Sequence, residues 1–388
     1  MNDATRLIQQ EGDQDREGGK TYRAVNPPLS RASTVLFETY EDLAAANAGE
    51  YPGVTYGTDR LPLQREFEEA IRGLEGGAMT RAFQSGISAL INTLLAFTRA
   101  GDHVLICDNA YGPTTHFGQE ILSRFNVEAT PLPADAGADT EAFLRPDTRL
   151  ILLESPGSNT FELQDLRAIT GLARERGILT VLDNTWATPL YLKPFPLGID
   201  VSVQSATKYI SGHSDVLAGV VTVTEALAGR FDAFYRTMEL LAAPEDCYLA
   251  LRGLRTLPVR LRQHERSALE IARWLEGRPE VGQVLHPALP SHPEHHLWRR
   301  DFLGSSGLFA FTPARECPAE RLAAFVNRLR LFGIGYSWGG YKSLVTAGRY
   351  HRALPSRYEG RTLIRLSIGL EDPEDLKGDL DAALAVLA

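Results

Sequence analysis

Between about residues 63 and 210, short apolar runs rich in β-branched residues alternate with segments of helical periodicity, and this alternation restricts the folds open to the chain. His103-Val104-Leu105-Ile106-Cys107, Leu150-Ile151-Leu152-Leu153 and Ile178-Leu179-Thr180-Val181-Leu182 read as buried parallel strands. Val201-Ser202-Val203 alternates apolar and polar residues and reads as a further short strand. Leu63, Phe67, Ile71 and Leu74 share a helical face, as do Ile87, Leu90, Ile91, Leu94 and Leu95, and again Leu163, Leu166, Ile169 and Leu172. Gly76-Gly77, Gly101 and Gly177 close these three helices. Such a β-α-β-α order with short loops predicts an α/β fold: a mostly parallel sheet with helices on both faces.

From about Phe231 the pattern changes. Long helical stretches reach about Leu275, and their arginines (Arg252, Arg255, Arg260, Arg262, Arg266) read as a solvated or interface face. The short strand Leu308-Phe309-Ala310-Phe311, a helix over about Ala319 to Leu329 and the alternating strand Leu363-Ile364-Arg365-Leu366-Ser367-Ile368 then predict a smaller α+β C-terminal domain. Before the sheet, Glu11 to Lys20 is polar and charged and reads as a mobile arm. Val25-Asn26-Pro27-Pro28 reads as extended chain, because each proline disfavours helix in the residue before it. An arm of this kind is usually stabilised by lying on another surface, often a partner subunit. The expected division is an N-terminal arm over 1–60 that contacts a neighbouring subunit, a large domain over 61–255 and a C-terminal domain over 256–388.

At 388 residues and 44% hydrophobic content, the chain can bury a large core. Its net charge of −9 is spread along the chain without a basic patch, which argues against a nucleic-acid partner. No apolar run approaches the ~18 residues of a membrane span, and Met1-Asn2-Asp3-Ala4-Thr5 lacks a signal-peptide pattern. Cys107, Cys247 and Cys317 are far apart and odd in number, which fits a reducing, cytoplasmic setting. His292, His295 and His296 have no cysteine or acid pattern to complete a zinc site, so they read as a surface segment and no metal is expected.

Two strand ends carry the chemistry. Val201-Ser202-Val203-Gln204-Ser205-Ala206-Thr207-Lys208 places a lone lysine among hydroxyls. That setting suits a depressed pKa and a nucleophilic amine, although a lysine closing an edge strand would look the same. The Leu179–Leu182 run ends at Asp183, where open α/β sheets bind ligands. Taken alone, Asp183 could be a helix N-cap or a metal ligand. Together, an amine and an acid at one sheet edge suit pyridoxal 5'-phosphate, whose aldehyde needs a lysine and whose pyridine nitrogen needs an acid. Ser85-Gly86 lies where the Ile87–Leu95 helix begins, either as a phosphate cradle or as a tight turn. Tyr111 lies just beyond the Cys107 strand, to stack on a planar ring or simply to pack. Arg365 stands on the face opposite Ile364, to hold a substrate carboxylate or to make a structural ion pair.

Ser205-Ala206-Thr207-Lys208-Tyr209 with Gly212-His213-Ser214-Asp215, preceded by Asp183-Asn184-Thr185-Trp186, resembles the cysteine/methionine-metabolism family of fold-type I pyridoxal-phosphate enzymes. The resemblance runs from about Val25 to the C-terminus. Within the family, Glu154-Ser155-Pro156-Gly157-Ser158, Arg252–Leu257 and Tyr336-Ser337-Trp338-Gly339-Gly340-Tyr341 are most similar to the proteobacterial enzymes that cleave cystathionine by β-elimination. Relatives acting at Cγ usually carry a leucine-type residue where Trp338 stands. The resemblance implies a fold-type I transferase fold, a carbon–sulfur lyase of methionine biosynthesis and an amino-acid thioether substrate. It implies that Lys208 carries the cofactor, Asp183 pairs with its ring nitrogen, and Tyr111 stacks on the ring and assists Lys208. The N–H groups of Gly86 and Ile87 and the hydroxyls of Ser205 and Thr207 would hold the phosphate. Tyr56 would complete that site from a neighbouring subunit, in a homotetramer built of two active-site-sharing dimers. Arg365, with Ser337 and Trp338, would bind the substrate α-carboxylate, and Tyr56 would also reach the substrate. The family usually has an arginine two residues after the tyrosine at Tyr56, where this chain has Thr58; Arg60 is then the arginine left to reach the phosphate.

Overall fold

The structure is a computed structural model that describes residues 2–8, 14–17 and 20–387. Seven strands form the large sheet: β1 (Met79–Phe83), β2 (His103–Cys107), β3 (Glu128–Leu132), β4 (Thr148–Glu154), β5 (Leu179–Asp183), β6 (Val201–Gln204) and β7 (Gly219–Val223). Their spatial order is β1-β7-β6-β5-β4-β2-β3. β3, β2, β4, β5 and β6 pair in parallel, and β7 runs antiparallel to both of its neighbours. Every residue of β2, β6 and β7 is buried, which is why β2 reads as a continuous apolar run, while the alternating β6 buries its polar Ser202 and Gln204 against the Glu75 carboxylate. The buried polar exception in β2 is His103, whose ring nitrogens bond the hydroxyls of Thr148 and Thr130 at 2.8 Å each. Helices α1 (Pro62–Glu75), α2 (Gly86–Phe97) and α3 (Leu166–Arg176) flank the sheet.

Helix α4 (Glu225–Thr237) is followed by a 33-residue helix, α5 (Pro244–Glu276), which carries the chain out of the large sheet's core. Its residues Cys247 to Leu261 belong to that core, whereas Ala268 to Leu275 belong to a second one. The second core lies under a five-stranded sheet of β8 (Val281–Leu285), β9 (Leu308–Pro313), β10 (Gly333–Ile334), β11 (Leu344–Arg349) and β12 (Thr362–Ser367), in the order β8-β9-β12-β11-β10. Phe309, Phe311, Ile364 and Leu366 fill it. Arg365, between Ile364 and Leu366 in β12, therefore faces away from this core and towards the large domain.

Three sequence expectations are corrected here. Gln14–Glu17 and Lys20–Arg23 pair as an antiparallel hairpin where a mobile arm was expected; residues 11–13, 18 and 19 of that segment lie outside the described residues. His292 is buried, as is Glu294, whose carboxylate pairs with Arg357 at 2.8 Å; of the three histidines only His296 is exposed. Arg260 is also buried, donating to the carbonyls of Tyr209 (2.9 Å) and Gly253 (2.7 Å), because the turn after Lys208 packs directly on α5. Among the described residues, no helix is long and apolar enough to cross a membrane.

Candidate active site

The C-terminal ends of β1, β2, β4, β5 and β6 open on a common edge, and a cavity of about 460 Å³ lies between that edge and the C-terminal sheet. The parallel pairing puts Glu154 of β4 directly beside Asp183 of β5. Ser205, Thr207 and Lys208 follow from β6. Gly86 and Ile87 open α2, while Ser337, Trp338 and Arg365 close the cavity from the other domain. Ten of the twelve site residues expected from the sequence thus line one cavity: Gly86, Ile87, Tyr111, Asp183, Ser205, Thr207, Lys208, Ser337, Trp338 and Arg365.

Lys208 Nζ donates to Ser337 Oγ at 2.7 Å and lies 5.3 Å from the centre of the Trp338 ring. Burial and then the Arg365 charge lower its pKa, Asp183 and Glu154 oppose both, and the balance stands at about 8. Ser337 holds its hydroxyl there in a left-handed conformation, φ +77°, which is costly for a residue with a Cβ and is found where geometry is constrained. Burial raises the pKa of Asp183, and hydrogen bonds from the Thr185 hydroxyl and N–H, with the Lys208 charge, oppose the rise. Burial and the adjacent Asp183 charge push Glu154 up to about 8.

One end of the cavity is a set of donors. Ser85 Oγ accepts the N–H of Ser88 at 3.2 Å and so caps α2. The N–H groups of Gly86 and Ile87, the first of the helix, meet no protein acceptor among the described residues. A Cβ on Gly86 would lie 2.6 Å from Ser205 Cβ, so only glycine leaves the cradle open. Orphan N–H donors beside a serine hydroxyl suit a phosphate. A buried acid and a buried low-pKa amine in the same cavity suit the pyridine nitrogen and aldehyde of pyridoxal 5'-phosphate. The residues present fit that cofactor. Thr207 Oγ1 is occupied within the chain, donating to Ala218 O at 3.1 Å and accepting from Ala218 N at 3.0 Å.

Arg365 reaches the cavity from the C-terminal sheet. Its Nη1 donates to Ser158 O and Asn159 Oδ1, both at 3.1 Å. These are neutral acceptors, so the ion-pair alternative gives way and the guanidinium retains capacity for a carboxylate. Tyr111 is half exposed at the cavity, and its backbone N–H donates to Glu154 Oε2 at 2.7 Å.

Two expected residues lie elsewhere. Arg60 does not line the cavity: its Nη1 pairs at 3.0 Å with the buried Glu68, which also takes the N–H of Ala82. Tyr56 is half exposed outside the cavity, in a bridge to Thr34. The residues that sequence reasoning missed are Glu154, Thr185 and Asn159. Glu154 ends an apolar run as Asp183 does, and that shared position was the available signal.

Known proteins sharpen this assignment. The family model for Cys/Met metabolism PLP-dependent enzymes matches residues 4–385. Cystathionine beta-lyase MetC of Escherichia coli (strain K12) is 40% identical over 373 residues, covering 94% of each chain. An L-alanine/L-glutamate racemase of Wolbachia pipientis wMel is 39% identical over 377 residues, covering 94% of this chain and 93% of the relative. The solved cystathionine gamma synthase from Xanthomonas oryzae pv. oryzae, in complex with aminoacrylate and cysteine, superposes with a TM-score of 0.89 at 31% identity, covering 100% of this chain and 98% of that one. The chain therefore belongs to the Cys/Met metabolism family of fold-type I pyridoxal-phosphate-dependent enzymes, closely related to the cystathionine β-lyases, and uses pyridoxal 5'-phosphate.

Proposed function

We propose that this enzyme catalyses α,β-elimination on L-cystathionine, converting it with water to homocysteine, pyruvate and ammonia. The observation that carries the proposal is the placement of Lys208 Nζ, a low-pKa amine held by Ser337 Oγ beside the Trp338 ring, in one cavity with Arg365 and Asp183.

Bound pyridoxal 5'-phosphate supplies an aldehyde that captures amines and a ring that accepts electrons from Cα. The chain's own residues do the rest. Gly86 and Ile87 N–H groups and the Ser205 hydroxyl bind phosphate, and Thr207 lies beside them. Asp183 would hold a proton on the ring nitrogen, and Tyr111 would stack on the ring. Arg365 fixes the substrate carboxylate, with the Ser337-Trp338 segment beside it. Lys208, neutral once released, takes the Cα proton and returns a proton to the departing sulfur; Tyr111 assists. The half-exposed Tyr56 is assigned to the neighbouring subunit's site. Val25 and Leu36, 87% and 88% exposed, give the N-terminal segment apolar surface to lay on that subunit. The assembly proposed is a homotetramer of two active-site-sharing dimers, and sedimentation at the monomer mass would refute it.

Relatives include a γ-synthase and a racemase, so a second reading keeps the same residues and moves the bond broken: a γ-lyase, a γ-synthase or a lyase for other cysteine S-conjugates. Purified enzyme incubated with L-cystathionine decides between them. Pyruvate is expected, and Lys208→Ala should abolish both its formation and the absorbance of the bound cofactor. Formation of 2-oxobutyrate in its place would refute β-elimination, and the absence of any keto acid would refute cystathionine as the substrate.

A further inference from the structure

The proposed chemistry gives Glu154 no contact with cofactor or substrate, yet it is a buried acid that lines the cavity beside Asp183. A second buried carboxylate beside one already needed is electrostatically unfavourable, so its presence calls for a compensating contact. Its two oxygens are used separately. Oε2 accepts the backbone N–H of Tyr111 at 2.7 Å, and Oε1 accepts the backbone N–H of Ser158 at 3.1 Å. Each N–H belongs to a different wall of the cavity. The Tyr111 segment leads from β2 and presents the ring that covers the cofactor site. The Ser158 segment leads from β4 and supplies Ser158 O and Asn159 Oδ1, the two acceptors that aim Arg365.

We infer that Glu154 is a positioning residue, whose carboxylate ties the Tyr111 wall to the Ser158-Asn159 wall and so fixes the ring-covering tyrosine and the carboxylate-binding Arg365 at a set separation. Only a carboxylate of this length does so. A glutamine has a single amide oxygen, and its NH₂ would face one of the two N–H donors, leaving that donor buried without an acceptor. An aspartate is one methylene shorter and cannot reach both. Because each wall bears on a different ligand, loss of the tie acts on two constants at once: cofactor affinity through Tyr111 and substrate KM through Arg365.

This inference rests on the cavity being the pyridoxal-phosphate site, and the test separates the two. Full-length wild-type and Glu154→Gln enzymes are compared by hydrogen–deuterium exchange, with and without cofactor, and by cofactor Kd, KM and kcat. Exchange should accelerate about tenfold or more in the peptide containing Tyr111 or the one containing Ser158, with the remaining peptides unchanged. The cofactor Kd and the substrate KM should rise about tenfold, the loss of one buried hydrogen bond's worth of positioning, while kcat falls less. Glu154→Asp, which keeps the charge, should lose protection at one of the two peptides; it also serves if the glutamine variant does not fold. Unchanged exchange at both peptides would overturn the inference. So would faster exchange with cofactor Kd and KM both unchanged, since Glu154 would then be a structural tie alone. A wild-type enzyme that bound no cofactor would refute the site assignment, and the exchange in cofactor-free protein would still report on the tie.

Discussion

The pKa of Lys208 can be read directly in the cofactor-free chain. Burial, then the Arg365 charge, brings it down to about 8. At pH 7 about one Lys208 in ten is then neutral, against about one in 2,500 for a lysine at its ordinary value near 10.4. Acylation by a small amine-reactive anhydride, quantified on proteolytic peptides by mass spectrometry, follows the neutral fraction. Its rate at Lys208 should rise with pH and level off above about 8. Lys377 is the internal control: hydrogen bonds from its ammonium to Glu374 and Glu270 raise its pKa, so its labelling should still climb beyond pH 10. Two substitutions test the causes with opposite signs. Arg365→Gln removes a neighbouring cation, which favours the ammonium, and the Lys208 midpoint moves up. Asp183→Asn removes an anion, which disfavours the ammonium, and the midpoint moves down. A wild-type midpoint at 10 or above would refute the reading of Lys208 as a base poised near neutrality. Shifts in the same direction in the two variants would refute the charge argument even if the midpoint were near 8.

Arg365→Gln should raise KM about a hundredfold with kcat changed far less, corresponding to the roughly 2–3 kcal/mol of a charge-assisted hydrogen bond; a KM within threefold of wild type, from steady-state kinetics, would remove Arg365 from substrate binding. Gly86→Ala would place a methyl 2.6 Å from Ser205 Cβ and Oγ, so cofactor Kd should rise at least about tenfold with a loss of about 1–3 kcal/mol in stability. Equilibrium dialysis showing wild-type cofactor affinity in that variant would place the phosphate elsewhere.

Much of this architecture was legible because buried parallel strands have little sequence freedom. β2 and β4 must be apolar on both faces, so His103–Cys107 and Leu150–Leu153 announce themselves, and function collects just past their ends. Asp183 and Lys208 were found on that basis, and Arg365 from its place between two core residues. What escaped depends on tertiary contacts with no local signature. Arg60 was the nearest arginine to the missing phosphate ligand, but Glu68, one turn and more into the next helix, holds it. Arg260 looked like one more arginine on a solvated helix, yet its donors close the turn behind Lys208. The division drawn at 255/256 falls inside α5, whose residues change core between Leu261 and Ala268, because the helical pattern of the sequence does not break there to mark the point.

The same charges that set the Lys208 pKa also connect base strength to substrate binding. Arg365 lowers the proton affinity of Lys208, and its own contacts, Ser158 O and Asn159 Oδ1, are neutral and leave that field in place. A substrate carboxylate docked on Arg365 cancels much of the field. Asp183 and Glu154, which favour the ammonium, then act with less opposition, and Lys208 becomes a stronger base when a carboxylate-bearing substrate is in position. An amine without a carboxylate would bind less tightly and would also meet a weaker base, so its kcat should fall together with its kcat/KM. The upward shift of the Lys208 midpoint in Arg365→Gln measures the size of this gain, and a midpoint that did not move would mean that recognition and basicity are independent here.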